Sequence, residues 1–265
     1  MSAAAPSDDL PATDPAVCRT RARVYDLLAA CLDGDVDAFV AAAERGDFAR
    51  LSSSLPVDLD AEFADDYDRE ALSVGYDNLF VVPGSHYVPP FASAHATEPS
   101  TDYESDSAYH AAAGGELLGE PAAAVARLYG VAGFEPTRGD GIPDHVAATF
   151  EFLGTLAAAE ADRRDAGARE AADALRELQR RALARLGWLD AFHERVRDED
   201  RVEGAFAALV GVARTFAAWD ARAGVGPSGA DDGTAASSGV EEPSNDIEEP
   251  PETADGPPEV TDDAP

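Results

Sequence analysis

The stretch "DPAVCRTRARVYDLLAACLDG", residues 14–34, spells out a complete helix. Asp14 before Pro15 forms an N-cap and first-turn pair: a short carboxylate accepts from the unpaired first-turn amides, and proline there gives up an amide that has no helical partner. Val17, Val24, Leu27, Leu28 and Cys31 then recur on one face with the helical period, and Gly34 ends the run. The same pattern repeats along the chain. Val36, Phe39 and Val40 define a shorter helix. Between 58 and 82, Leu59, Phe63 and Tyr67, then Leu72, Tyr76, Leu79 and Phe80, keep helical spacing, as one long helix or two that part near Gly75. Glu120 and Pro121 open a helix with Val125, Leu128 and Tyr129 inward. Pro143 opens a longer one with Val146, Phe150, Leu153 and Ala157 on a stripe, which places Asp144 in its first turn. Segments 168–186 and 202–218 complete the set, the last with Phe206, Leu209, Val210, Ala213 and Phe216 inward. No run alternates like a half-buried strand. The expected fold is all-α, a single bundle of about eight to ten helices.

Charge narrows the partners. The chain has 52 acidic and 20 basic residues, every basic one an arginine, for a formal net charge of -32. Such a surface repels nucleic-acid backbones and anionic membranes. It suits a salt-rich cytoplasm, where molar salt shortens the reach of self-repulsion to roughly 3 Å. Cys18 and Cys31 lie about 20 Å apart along one helix, too far to pair, and read as small buried thiols of a reducing compartment. Residues 1–14 carry no positive charge and no apolar run, so we expect a flexible N-terminus without an export leader, and no stretch has the length of a membrane span.

From residue 223 the composition shifts to Pro, Gly and Ser with twelve acidic residues and no arginine. Such a segment cannot bury enough apolar surface to offset its ordering entropy. The expected division is thus 1–14 flexible, 15–222 a helical domain and 223–265 a disordered, solubilising acidic tail.

One interval breaks the helical pattern: "PGSHYVPPFASAHATEP", residues 83–99, holds four prolines with Tyr87 and Phe91. Its middle cannot be helical, and a long aromatic-bearing loop is expected to lie ordered against the bundle. Tyr76 and Phe80, at helical spacing, read first as core. Tyr87 and Phe91, in the loop, are placed to offer apolar surface to a peptide. Catalytic patterns are sparse. There is no phosphate-cradling glycine loop, nucleophile elbow or cysteine set for zinc, and the five histidines are scattered. Adjacent Asp144 and His145 are the one pair that suggests metal-dependent phosphohydrolase chemistry. The competing reading is a carboxylate favoured by the amides and dipole of a helix start.

Two segments carry a family resemblance. "YDNLFVVPGSHYVPPFAS", residues 76–93, resembles the first signature of the TorD/DmsD/NarJ family of redox-enzyme maturation chaperones, approximately Tyr-x-x-Leu-Phe, Pro-Gly, then Pro-Pro-Tyr-Glu-Ser. "GIPDHVAATFEFLGTL", residues 141–156, resembles the second, Glu-Pro-Asp-His followed by a helix with Glu-Phe-Met. Phe91 stands for the usual Tyr, Ala92 and Ile142 for Glu, Thr149 for a further Glu and Leu153 for Met.

The resemblance implies a non-enzymatic, cytoplasmic chaperone that binds the twin-arginine leader, the apo form, or both, of a molybdopterin oxidoreductase of the DMSO reductase family until cofactor insertion and export. It implies no cofactor of its own, since the molybdenum cofactor belongs to the client. The peptide-binding residues it points to are Tyr76, Phe80, Pro83, Gly84, Tyr87, Pro89, Pro90, Phe91 and Ser93 with Pro143, Asp144 and His145. A domain-swapped homodimer is compatible with a helical bundle that has a long hinge segment. The alternatives are the phosphohydrolase built on Asp144 and His145, and a structural helical adaptor that binds through its acidic tail.

Overall fold

The computed structural model describes residues 11–226 apart from 60–62, 65, 97–118 and 203. The N-terminal decapeptide, the end of the proline-rich interval and the acidic tail from residue 227 therefore lie outside the described residues.

Asp14 caps α1 (Pro15–Leu32) by accepting from the Ala16 amide at 2.8 Å. Asp35 caps α2 (Val36–Glu44) in the same way. A short α3 (Asp47–Ser52) precedes α4 (Arg69–Tyr76), which runs into a π-helical turn (Asp77–Val81). Then come α5 (Ser93–Ala96), α6 (Glu120–Ala132), α7 (Val146–Asp165), α8 (Arg169–Leu183), α9 (Leu189–Glu199) and α10 (Ala205–Trp219), the last closed by a second π-turn (Asp220–Gly224). The fold is all-α; among the described residues the one β-type pairing is an isolated antiparallel bridge between Phe91 and His145.

Two helix boundaries differ from the sequence reading, each for a physical reason. Residues 58–68 are not helical where described. Phe63 and Tyr67 fill a side pocket against Phe39 and Phe48, with ring centroids 4.5–5.5 Å apart, so their spacing reflects packing. The dense acidic run there opposes a helix, and Asp68 instead caps α4 through the amides of Glu70 and Ala71. The second correction concerns Pro143. α7 starts at Val146 with His145 as its N-cap, so Asp144 precedes the helix and does not occupy its first turn.

α1 and α7 form the central pair, with α8 against α7 and α9 against α10. Gly154 sits at the α1–α7 crossing, where a Cβ would meet Asp26 Oδ1 at 2.5 Å, Tyr25 Cβ at 3.2 Å and the Ala22 carbonyl at 3.4 Å. A swing of Asp26 relieves the first contact, and alanine recovers the glycine penalty in a helix, so Gly154→Ala is expected to be close to neutral. Gly154→Val adds branches that meet α1 backbone and is expected to cost about 1–3 kcal/mol in chemical denaturation.

Beneath the apolar core lies a buried ionic network. Arg21, fully buried on α1, donates from Nε to Asp220 Oδ1 at 2.5 Å and from Nη2 to Asp220 Oδ2 at 2.9 Å, and also to Gln179 Oε1. The Tyr25 hydroxyl donates to Asp220 Oδ2 at 2.6 Å. Glu160 on α7 accepts from Arg176, Arg164 and Gln179, each at 2.9 Å. Burial alone lowers the Arg21 guanidinium, yet Asp220 beside it holds it above its ordinary range. Burial likewise raises Glu160, but Gln179 and the arginines around it keep its carboxyl below the usual range. Arg176 donates to the carbonyls of Gly224 and Val225, and Arg180 to that of Gly226 at 2.9 Å. These bonds carry the packed chain past Arg222, where composition sets the domain boundary, to Gly226. Cys18 and Cys31 are both buried, free thiols, the latter pushed up to about 12 by burial.

Candidate functional site: the proline strap and the Pro-Asp-His hinge

The first signature begins on α4. Tyr76 lays its ring over Gly34, whose positive φ and missing Cβ allow the approach, and its hydroxyl donates to the Leu32 carbonyl at 3.0 Å. The ring also packs on Phe80 and Phe206, and Phe80 on Phe192. Both residues act as core, clamping the π-turn to α1, α9 and α10. Burial pushes the Tyr76 phenol up.

Beyond the turn the chain runs extended as a strap. The Val88 amide donates to the Leu79 carbonyl at 2.7 Å, and Val88, Pro89 and Pro90 are buried. His95 Nε2 donates to the Pro89 carbonyl at 2.7 Å while its ring stacks on Trp188 at 5.4 Å and meets Phe192 edge-on. Burial in this aromatic slot lowers His95 to about 4, so the ring is neutral with its proton on Nε2.

The second signature meets the strap as a paired strand would. The Val146 amide donates to the Pro90 carbonyl at 2.8 Å and the Ala92 amide to the Asp144 carbonyl at 3.1 Å, around the Phe91–His145 bridge. Asp144 is 1% exposed, and its Oδ2 accepts from both the Ser93 amide, at 2.7 Å, and the Ser93 hydroxyl. Asp144 Oδ1 is buried without a hydrogen bond among the described residues. His145 Nδ1 accepts from the Ala147 amide at 3.1 Å, which requires a neutral ring. Burial lowers it to about 4. The Tyr129 hydroxyl fixes Pro143 through its carbonyl at 2.8 Å.

The loop leading into the hinge is held from both sides. Glu151 accepts from the Thr137 amide and hydroxyl and from the Arg138 amide, and Asp33, just past α1, accepts from the Gly139 amide at 2.8 Å. Gly139, at φ +80°, lies against the His145 side chain, leaving no room for a Cβ.

The structure thus brings the strap and the hinge together and sorts their residues by depth. Phe80, Pro89, Pro90, Ser93, Asp144 and His145 are buried; Tyr76, Pro83, Tyr87, Phe91 and Pro143 are partly exposed; Gly84 is exposed. Asp144 Oδ2 is held by Ser93 and His145 Nδ1 by Ala147, so one ligand atom of each side chain is committed to the strap and to the start of α7. Among the described residues no three His, Cys, Asp or Glu side chains gather as a metal set. A cleft of about 640 Å³ opens elsewhere, beside α4, and none of the twelve residues lines it.

The nitrate reductase delta subunit family matches residues 41–194, a span that contains both signatures and more than half of the chain. The chain belongs to that family. Its members form a family of molybdoenzyme maturation chaperones acting with molybdoenzyme catalytic subunits. No curated protein and no solved structure matches the chain. No helix among the described residues is long and apolar enough to cross a membrane.

Sequence reasoning missed four residues of this site: His95 and Trp188, which pin the strap, and Asp33 and Glu151, which hold the hinge loop. Glu151 lies inside the second signature, but its partners Thr137 and Arg138 stand at no helical interval from it.

Proposed function

We propose that the chain is a cytoplasmic maturation chaperone that receives the twin-arginine leader, the apo form, or both, of a molybdopterin oxidoreductase of the DMSO reductase family, and holds that client until cofactor insertion and export. The observation that carries this reading is the welding of the two signature segments into one surface. Its buried base of Ser93, Asp144 and His145 is polar and fixed, and its accessible edge of Pro83, Gly84, Tyr87, Phe91 and Pro143 is apolar and rigid. A rigid apolar edge loses little entropy on binding, which favours an apolar segment of an incoming peptide. The chain needs no cofactor for this, because the molybdenum cofactor is the client's.

The test is binding of a labelled leader peptide and of the apo catalytic subunit to the full chain in molar salt. Replacing Tyr87 and Phe91 together by alanine is expected to weaken binding roughly tenfold or more in a variant whose unfolding curve shows it still folded at the assay temperature, because aromatic anchors dominate such interfaces. Unchanged affinity for both probes would remove this surface from the assignment.

A further inference from the structure

We infer that His86 and Glu199 are positioning residues of the client-receiving edge: their contact ties the front turn of the strap, residues 83–87, to the end of α9 and holds Pro83 and Tyr87 in place before a client arrives. The inference rests on the reading that the strap receives a client, and adds to it the device that keeps the strap's accessible edge rigid.

The front turn hangs by its two ends from the π-helical turn that follows α4. The Val82 amide donates to the Asp77 carbonyl at 2.7 Å and the Val88 amide to the Leu79 carbonyl at 2.7 Å. Within the loop so closed, the Tyr87 amide donates to the Gly84 carbonyl at 3.3 Å, and Gly84, Ser85 and His86 stand exposed. Beside the turn lies the cleft of about 640 Å³, to which His86 and Leu79 contribute, as do Glu199 and Val202 at the joint between α9 and α10. A turn backed by packed side chains is fixed by them, whereas one that borders open space has few apolar contacts to hold it.

The tie crosses 113 positions of sequence: His86 Nδ1 meets Glu199 Oε2 at 2.7 Å. The bond requires a proton on Nδ1, which the neutral ring can carry and the charged ring always does. The two side chains are 47% and 33% exposed, so the contact is partly shielded from solvent.

Glu199 does not serve α9 itself, because a carboxylate in the last turn of a helix opposes the helix dipole. Its place answers to a tertiary contact. Phe192, Val196 and Glu199 follow at i, i+4 and i+7 along α9, one stripe about 10 Å long. At one end of the stripe Phe192 meets the His95 ring edge-on at 5.3 Å, and at the other Glu199 takes His86. α9 therefore grips the strap on both sides of the buried Val88, Pro89 and Pro90. With the near grip lost, the front turn samples other conformations. Only the fraction that keeps Pro83 and Tyr87 in place is competent, and affinity falls in proportion.

The test uses the full chain with a nitroxide on Ser85→Cys; Ser85 is exposed, and the native Cys18 and Cys31 are buried, so the label goes to position 85. His86→Ala and Glu199→Ala are each expected to sharpen the label's spectrum, the mark of a freer turn. In the unlabelled chain each should weaken binding of a twin-arginine leader peptide roughly two- to fivefold, as suits a partly exposed pair, with little change in the unfolding midpoint. The double variant should bind no worse than either single one, since both remove the same bond. His86→Gln, whose amide can still donate to Glu199, should bind within about twofold of the wild type. Spectra unchanged in both alanine variants would overturn the tie itself. A freer turn with undiminished peptide affinity, while replacement of Tyr87 and Phe91 still weakens binding, removes the positioning role and leaves the strap reading intact. A wild-type chain that binds neither the leader peptide nor the apo catalytic subunit overturns both.

Discussion

Asp220→Ala is expected to cost about 3–5 kcal/mol of folding stability, among the largest effects of any single side chain here, because it strands a buried guanidinium. Arg21 has no access to solvent. Asp220 supplies both of its bidentate contacts, and Arg21 Nη1 has no hydrogen bond among the described residues even with Asp220 in place. What remains after truncation is Gln179 Oε1 and Glu160 at 3.5 Å, and Tyr25 also loses its acceptor. The same comparison shows why the pair is not simply a source of stability. Replacing Arg21 and Asp220 together by apolar residues of similar volume is expected to recover part of that loss, since the stranded charge and its desolvation cost disappear together, while the Tyr25 hydroxyl still lacks its acceptor. Denaturant titrations of the single and double variants check both statements. A single-variant loss below about 1 kcal/mol would mean that water or a neighbouring group compensates Arg21. The loss should also persist in molar salt, because the pair is shielded from ions, whereas exposed pairs such as Arg69 with Asp37 are screened.

That network also shows what the sequence could and could not reveal. Arg19, Arg21 and Arg23 alternate in α1 and look like one solvated set. Yet Arg19 is 41% exposed at its side chain and Arg21 is fully buried. The distinguishing signal is positional: Cys18, Arg21, Tyr25 and Leu28 occupy one helical stripe, all buried, so Arg21 stands where a core residue belongs. Its partner Asp220, 199 positions away, has no local signal at all. The long helices were legible because caps, period and terminators agree within a single turn or two, as at Asp14, Pro15 and Gly34. Residues 58–68 were misread because Phe63 and Tyr67 keep a helical interval while answering to a tertiary aromatic pocket.

The candidate site divides in the same way. The two signature segments were legible as motifs, and the aromatic core role of Tyr76 and Phe80 as spacing. The Ser93–Asp144 contact spans 51 positions and reassigns Asp144 from a helix-start residue to the clasp of the strap. His95 could not be chosen over the other histidines, because its meaning comes from Trp188 and Phe192 on another helix.

Those histidines lead to the second large effect: lowering the pH from 7 to 5 should cost about 4 kcal/mol of stability, about 2 kcal/mol from each of His95 and His145. Both are held at about 4 in the folded chain, against an ordinary value of 6.5. Between those values the unfolded chain binds a proton at each imidazole and the folded chain does not. Protons therefore favour unfolding, so the stability is intact above about pH 6.5, falls through the window and levels off below about pH 4. The burial that lowers each value is also structural: a protonated His145 cannot accept from the Ala147 amide, and a charged His95 would have to sit between Trp188 and Phe192. His193, lowered by burial, acts in the same direction. Asp26 and Asp33, raised by burial, act in the opposite one. His145→Asn keeps a capping side chain that does not titrate. It should flatten the dependence by about 2 kcal/mol between pH 7 and 5, as should His95→Gln, although the latter also loses the stack on Trp188. Urea midpoints of the three proteins at the two pH values decide it. A wild-type slope retained in both variants would place the acid sensitivity elsewhere. Because the two rings stand at Pro89 and at the Phe91 bridge, the proton sensitivity is concentrated where strap and hinge join, so this surface should be the first part of the fold to loosen in acid.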